Sequence, residues 1–151
     1  MDKPYVMIGS GAGVAPFRSF LSERLSLLKK VNGFKATWLV YGCRNRNQDY
    51  LFQDEWTDMY PLEDFDVCFS REDSDEKYVQ DVLKRKAEKT ANMVLHDGAK
   101  IFVCGSNAMA KDVNEAIIEI LHKYGELSES QAKEKVAEMR IQDDYLQEIW
   151  S

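Results

Sequence analysis

The sequence predicts an α/β domain, with an open, doubly wound, mostly parallel sheet of about five strands and helices on both faces. Three observations predict it. Short apolar blocks alternate with stretches of helical periodicity, the pattern of βαβ units. The block at residues 37–41, Thr-Trp-Leu-Val-Tyr, has no polar alternation, as expected of a strand buried on both faces. The strand-like blocks run into glycine-rich or polar turns, where α/β folds place their ligands.

Residues 5–8 form a short β run that ends in glycines. A helix follows from Pro16, with Phe17, Phe20, Leu21, Leu25 and Leu28 on one face, and Asn32-Gly33 stops it. After the strand at 37–41, a helix is expected over 51–59, before Pro61. A third strand at 65–69 leads into a polar loop, and one long helix is expected from about Tyr78 to Leu95, ending near Asp97-Gly98. A fourth strand at 101–104 ends at Gly105. Met109, Val113, Ala116, Ile117, Ile120, Leu121 and Tyr124 mark the face of the next helix, which Gly125 closes. Ser128-Glu129-Ser130-Gln131 has the form of a capping box and opens another helix. The tail from Tyr145 to Trp150 is β-type and supplies a last strand.

A chain of 151 residues fits one domain with a real core. A net charge of −6 argues against general nucleic-acid binding, because no basic surplus exists to neutralise phosphates. Cys43, Cys68 and Cys104 are far apart and odd in number, which points to reduced thiols and a cytoplasmic setting rather than a disulfide or zinc scaffold. No apolar run approaches the ~18–20 residues that a membrane span needs.

Three strand ends carry candidate chemistry. In Ser70-Arg71-Glu72-Asp73-Ser74-Asp75-Glu76-Lys77-Tyr78-Val79-Gln80, a hydroxyl, a guanidinium, an ammonium, a phenol and an amide fall close together. The segment reads either as a pocket for a 2′-phosphorylated adenosine ribose, selecting NADP(H), or as a solvated loop opening a helix. Gly9-Ser10-Gly11-Ala12-Gly13-Val14-Ala15-Pro16 joins the first strand to the first helix; it either cradles a pyrophosphate or simply makes a turn. It departs from G-x-G-x-x-G at Val14. Cys104 at a strand tip could face a nicotinamide ring or be a packing residue. Trp150 could cover a flat partner such as a flavin, or dock the tail into a core. His96 and His122 have no visible catalytic partner.

Taken in order, Gly11-Ala12-Gly13-Val14-Ala15-Pro16-Phe17, Tyr41-Gly42-Cys43-Arg44, Asp49-Tyr50-Leu51-Phe52, Ser70-Arg71-Glu72, Tyr78-Val79-Gln80, Val103-Cys104-Gly105, Met109-Ala110-Lys111-Asp112-Val113 and Trp150-Ser151 resemble the C-terminal NADPH-binding domain of the diflavin reductases, within the ferredoxin–NADP reductase superfamily. The similarity covers nearly the whole chain. It implies that Gly11, Ala12 and Gly13 lie along the cofactor's diphosphate and nicotinamide, with Arg44 and Asp112 as further cofactor-binding residues. It also implies that Ser70 and Arg71 take the 2′-phosphate, Tyr78 stacks near the adenine and Gln80 closes that pocket. Cys104 and Glu148 would form the hydride-transfer cluster, and Trp150 would cover the FAD ring until nicotinamide displaces it.

The chain departs from the family's pattern at four places. Ala12 replaces a threonine, Glu76 stands where a phosphate-binding lysine is usual with Lys77 one place later, Glu148 replaces an aspartate, and the 105–109 segment is one residue shorter. No FAD-binding Arg-x-Tyr-Ser segment or FMN domain is present. Residues 1–151 are therefore expected to be the NADP(H)-binding domain of a larger flavoprotein, inactive alone and partnered with FAD and FMN domains and an electron-acceptor protein. The alternative is a non-catalytic module that senses NADPH or docks a partner.

Overall fold

The computed structural model describes residues 3–28, 37–58 and 62–150. Five strands, β1 (Tyr5–Ser10), β2 (Thr37–Cys43), β3 (Asp64–Phe69), β4 (Lys100–Ser106) and β5 (Tyr145–Trp150), form one sheet in the order β3-β2-β1-β4-β5. All four pairings are parallel, so the predicted "mostly parallel" sheet is parallel throughout. The order reverses between β1 and β4, which leaves a crevice at their carboxyl ends.

Side-chain alternation sorts the core into two layers. Met7, Leu39 and Tyr41 meet Phe17 and Leu21 of α1 (Ala15–Leu28) and Trp56 of α2 (Gln53–Asp58). Val6, Ile8, Trp38 and Val40 meet α3 (Val79–Arg85), α4 (Ala87–Leu95), α5 (Asn107–Tyr124) and α6 (Glu129–Ile141) on the other face. Every residue of β2 is buried, as its lack of alternation predicts. The buried Tyr41 hydroxyl donates to Asp49 O at 3.1 Å and accepts from Leu51 N–H at 2.9 Å, which anchors the loop after β2. The Ser128–Gln131 capping box forms in both directions, at 3.1 and 2.9 Å. The predicted stop at Asn32-Gly33, and Met59 with Pro61, lie outside the described residues, as do the side chains of Leu25 and Leu28.

The single helix expected from Tyr78 to Leu95 is two. Lys86 leaves helical geometry (φ −100°, ψ 41°) between the end of α3 at Arg85 and the start of α4 at Ala87. The Thr90 hydroxyl donates to the carbonyls of Lys86 and Leu83, at 2.9 and 3.3 Å, and so satisfies acceptors at the break. Tertiary charge holds the break in place. Lys86 Nζ bonds Asp64 and Asp66 at 3.2 and 2.8 Å, Lys89 pairs with Asp64, and both ammonium groups lie near the Trp38 ring. Gly125 closes α5 with φ −101°, and the left-handed residue is the next one, Glu126. Glycine is needed at 125 because a Cβ there would stand 2.5 Å from Leu121 O.

Candidate functional site

A cleft of about 780 Å³ opens across the carboxyl ends of the sheet. Its walls come from the end of β1 and the turn after it (Ser10, Gly11, Ala12), the end of β2 with the next residue (Gly42 to Arg44), Ser70 after β3, and the segment 77–80 that opens α3. Ser106 at the end of β4, Met109 and Asp112 of α5, and Trp150 of β5 also line it. The cleft thus lies at the point where strand order reverses, the ligand position of doubly wound folds.

The β2–β3 ladder extends one pair beyond the strands. Ser70 N–H donates to Cys43 O at 2.9 Å and Arg71 N–H to Arg44 O at 3.0 Å, which sets the two predicted phosphate residues beside Arg44. Arg44 is itself held, its Nε donating to Asp49 Oδ2 at 3.1 Å. The same carboxylate accepts from the Asn45 and Arg44 backbone N–H groups and so closes the turn. Desolvation raises the Asp49 carboxyl, but those hydrogen bonds outweigh it and hold its pKa below the ordinary value. Such a group binds fewer protons folded than unfolded, so its contribution is complete above about pH 5 and is lost as pH falls through the unfolded value near 3.9 toward the lower folded one. Asp49→Asn is therefore expected to lower stability at neutral pH, with the deficit shrinking as denaturant titrations are moved down toward about pH 2.

The 70–81 segment carries five carboxylates against two cations, Arg71 and Lys77. Three of the five are tied to donors. Glu72 accepts from Arg46 N–H, Asp81 accepts from the Lys77 and Tyr78 N–H groups at 3.1 and 3.0 Å, and Glu76 pairs with Arg85. Among the described residues no ion pair involves the side chain of Arg71 or Lys77, so both remain available to an anion. Lys77 lines the cleft and Glu76 does not. Tyr78 is 54% exposed. At the opposite wall, α5 points its N-terminus at the cleft, capped by Ser106 Oγ accepting from Met109 N–H at 3.1 Å and with no acidic residue in its first turn. That end of a helix favours negative charge.

The structure therefore brings nine of the predicted residues to one cleft: Gly11, Ala12, Arg44, Ser70, Lys77, Tyr78, Gln80, Asp112 and Trp150. Arg71 is exposed beside Ser70 but does not line it. Cys104 and Glu148 line a separate cleft of about 440 Å³, apolar and walled by Pro16, Phe17, Phe20, Phe102 and Leu146. They face each other in the β4–β5 register. Burial pushes the Cys104 thiol up to about 11, with the Glu148 charge adding to it, so the sulfur is a neutral thiol at pH 7 and no nucleophile. Gly13 packs between one residue of each cleft: a Cβ there would lie 2.3 Å from Cys104 O and 2.9 Å from Trp150 Cη2. The Trp150 ring thus rests on the glycine turn while 46% exposed.

Sequence reasoning missed Asp49, which organises the turn carrying Arg44, and Ser106, whose helix-capping position just before α5 is the signal that could have found it. His122 contacts Leu127 O at 2.7 Å, outside both clefts. All three cysteines are free and buried. Among the described residues no group of side chains could hold a metal ion, and no helix is long and apolar enough to cross a membrane.

Fold and site together define a doubly wound nucleotide-binding domain with an anion-receptive cleft at its switch point. The chain belongs to the oxidoreductase NAD-binding domain family, whose model matches residues 7–115. It is 40% identical to methionine synthase reductase of Bos taurus over 97% of its own length. It is 39% identical to NADPH–cytochrome P450 reductase of Candida maltosa and 36% identical to that of Mus musculus, over 97% and 98% of its length. The chain spans only 22–23% of these relatives.

Proposed function

We propose that this chain is the NADP(H)-binding module of a flavin-dependent electron-transfer reductase, joined to FAD and FMN domains and delivering electrons to an acceptor protein. One observation carries the reading. The cleft sets Ser70 and Lys77 beside a segment in which Glu72, Glu76 and Asp81 are turned to other donors, and the same cleft reaches Trp150. The names of the relatives, all reductases, favour electron transfer over sensing.

In this reading Ser70, Lys77 and Arg71 hold the 2′-phosphate, and Tyr78 and Gln80 bound the adenosine. The turn at 11–13 and the N-terminus of α5 take the diphosphate, with Arg44 and Asp112 along its course. The half-exposed Trp150 ring beside an apolar cleft fits a flat aromatic partner, and a flavin bound there would accept the hydride that NADPH supplies. Trp150 would give way to a nicotinamide ring bound there. Cys104, as a neutral thiol, and Glu148 would orient that ring and balance its charge. Three free thiols fit a reducing, cytoplasmic setting.

Titration of the chain with NADPH and NADH tests the reading. Binding of NADPH at least about tenfold tighter, as one charge-assisted phosphate contact provides, is expected. Equal affinities would refute the phosphate assignment.

A further inference from the structure

Glu76 poses a physical problem for any anion bound at Ser70 and Lys77. It is the residue next to Lys77, and a free carboxylate there would repel a phosphate dianion. The structure answers it with a residue nine positions away. Arg85, the last residue of α3, pairs with Glu76 through Nε and with Asp66 Oδ1 through Nη2 at 3.2 Å. Asp66 is a fixed post. It lies on β3, its carboxylate is only 14% exposed, and it also accepts from Trp38 Nε1–H and from Lys86 Nζ, both at 2.8 Å. Trp38 is buried in the central layer. The hold on Glu76 therefore runs back through Arg85 to the core of the sheet.

Resting on the NADP(H) reading above, we infer that Arg85 is a positioning residue for coenzyme selectivity: its guanidinium holds the Glu76 carboxylate away from the cleft and neutralises it, so that Lys77 meets the 2′-phosphate without the opposing charge of its adjoining residue. Charge within this group balances, with Asp64, Asp66 and Glu76 against Arg85, Lys86 and Lys89. Removing Arg85 leaves one carboxylate unmatched, and Glu76 is the member nearest the cleft in sequence and the one with no other partner among the described residues. The pair is solvent-accessible, at 51% and 25% exposure, so it adds little to folding stability and its loss should leave the fold intact. Its effect belongs to ligand discrimination instead.

The test compares calorimetric titrations of 2′,5′-ADP and 5′-AMP, which differ only by the phosphate in question. Arg85→Met is expected to weaken 2′,5′-ADP about tenfold at low ionic strength, less at high salt, and to leave 5′-AMP within about twofold. Adding Glu76→Gln to Arg85→Met is expected to restore 2′,5′-ADP binding, because the damage acts through the Glu76 charge. A rescue of this kind cannot come from a merely structural role. Unchanged 2′,5′-ADP affinity in Arg85→Met, or equal weakening of both ligands with no rescue, overturns the inference while leaving the phosphate pocket standing. A parent chain that does not prefer 2′,5′-ADP to 5′-AMP overturns both.

Discussion

Arg71→Ala is expected to lower affinity for NADPH by roughly ten- to a hundredfold and to leave NADH nearly untouched. One charge-assisted hydrogen bond to phosphate is worth about 1.5–3 kcal/mol, which spans that range. The contrast is clean because Arg71 has so little structural work. Its side chain is exposed and forms no ion pair among the described residues, and its backbone bond to Arg44 O survives truncation. Thermal stability should therefore change by less than about 0.5 kcal/mol. In the structure Arg71 stands outside the cleft lining, so the long guanidinium must swing in when the phosphate arrives. Equal weakening of both coenzymes would assign Arg71 to the shared part of the ligand and remove it from the 2′ position.

Gly13→Ala is expected to be the most destabilising small substitution at the site. The added Cβ would fall 2.3 Å from Cys104 O, 2.8 Å from Cys104 C and 2.9 Å from Trp150 Cη2. The indole edge can tilt away, but the carbonyl belongs to β4, paired on both sides in a parallel sheet. Overpacking costs about 1–3 kcal/mol, and contact with backbone places this case at the upper end. At about 2–4 °C per kcal/mol for a domain of this size, the melting temperature should fall by some 5–10 °C. Trp150 fluorescence should shift as well, because its seat on the glycine turn is lost. A variant with unchanged melting and emission would show that the turn and the terminal strand are not in contact in solution.

What was legible in the sequence was what local pattern determines. The fully buried β2 and the Ser128–Gln131 cap form as read, and the face of α5 does so from Val113 to Leu121, while Tyr124 at its end is exposed because the helix has run past the core. The break at Lys86 was not legible. Val79, Val82, Leu83, Ala87, Ala91 and Val94 keep helical spacing straight through it, and the cause lies in Asp64 and Asp66 on another element. Glu76 is the same lesson at the site. In sequence it looks like a repulsive neighbour of Lys77; in space Arg85 occupies it. Register is equally invisible in one dimension, so the facing of Cys104 and Glu148 came only from resemblance until the β4–β5 pairing placed them opposite each other. The division into two clefts is likewise a consequence of packing.

The decisive measurement is a crystal structure of this chain with 2′,5′-ADP bound. The expected result puts the 2′-phosphate within hydrogen-bond distance of Ser70 Oγ and the Lys77 ammonium, with the Arg71 side chain drawn toward it and Glu76 still on Arg85. A 2′-phosphate pointing into bulk water, touching none of the three, would contradict it.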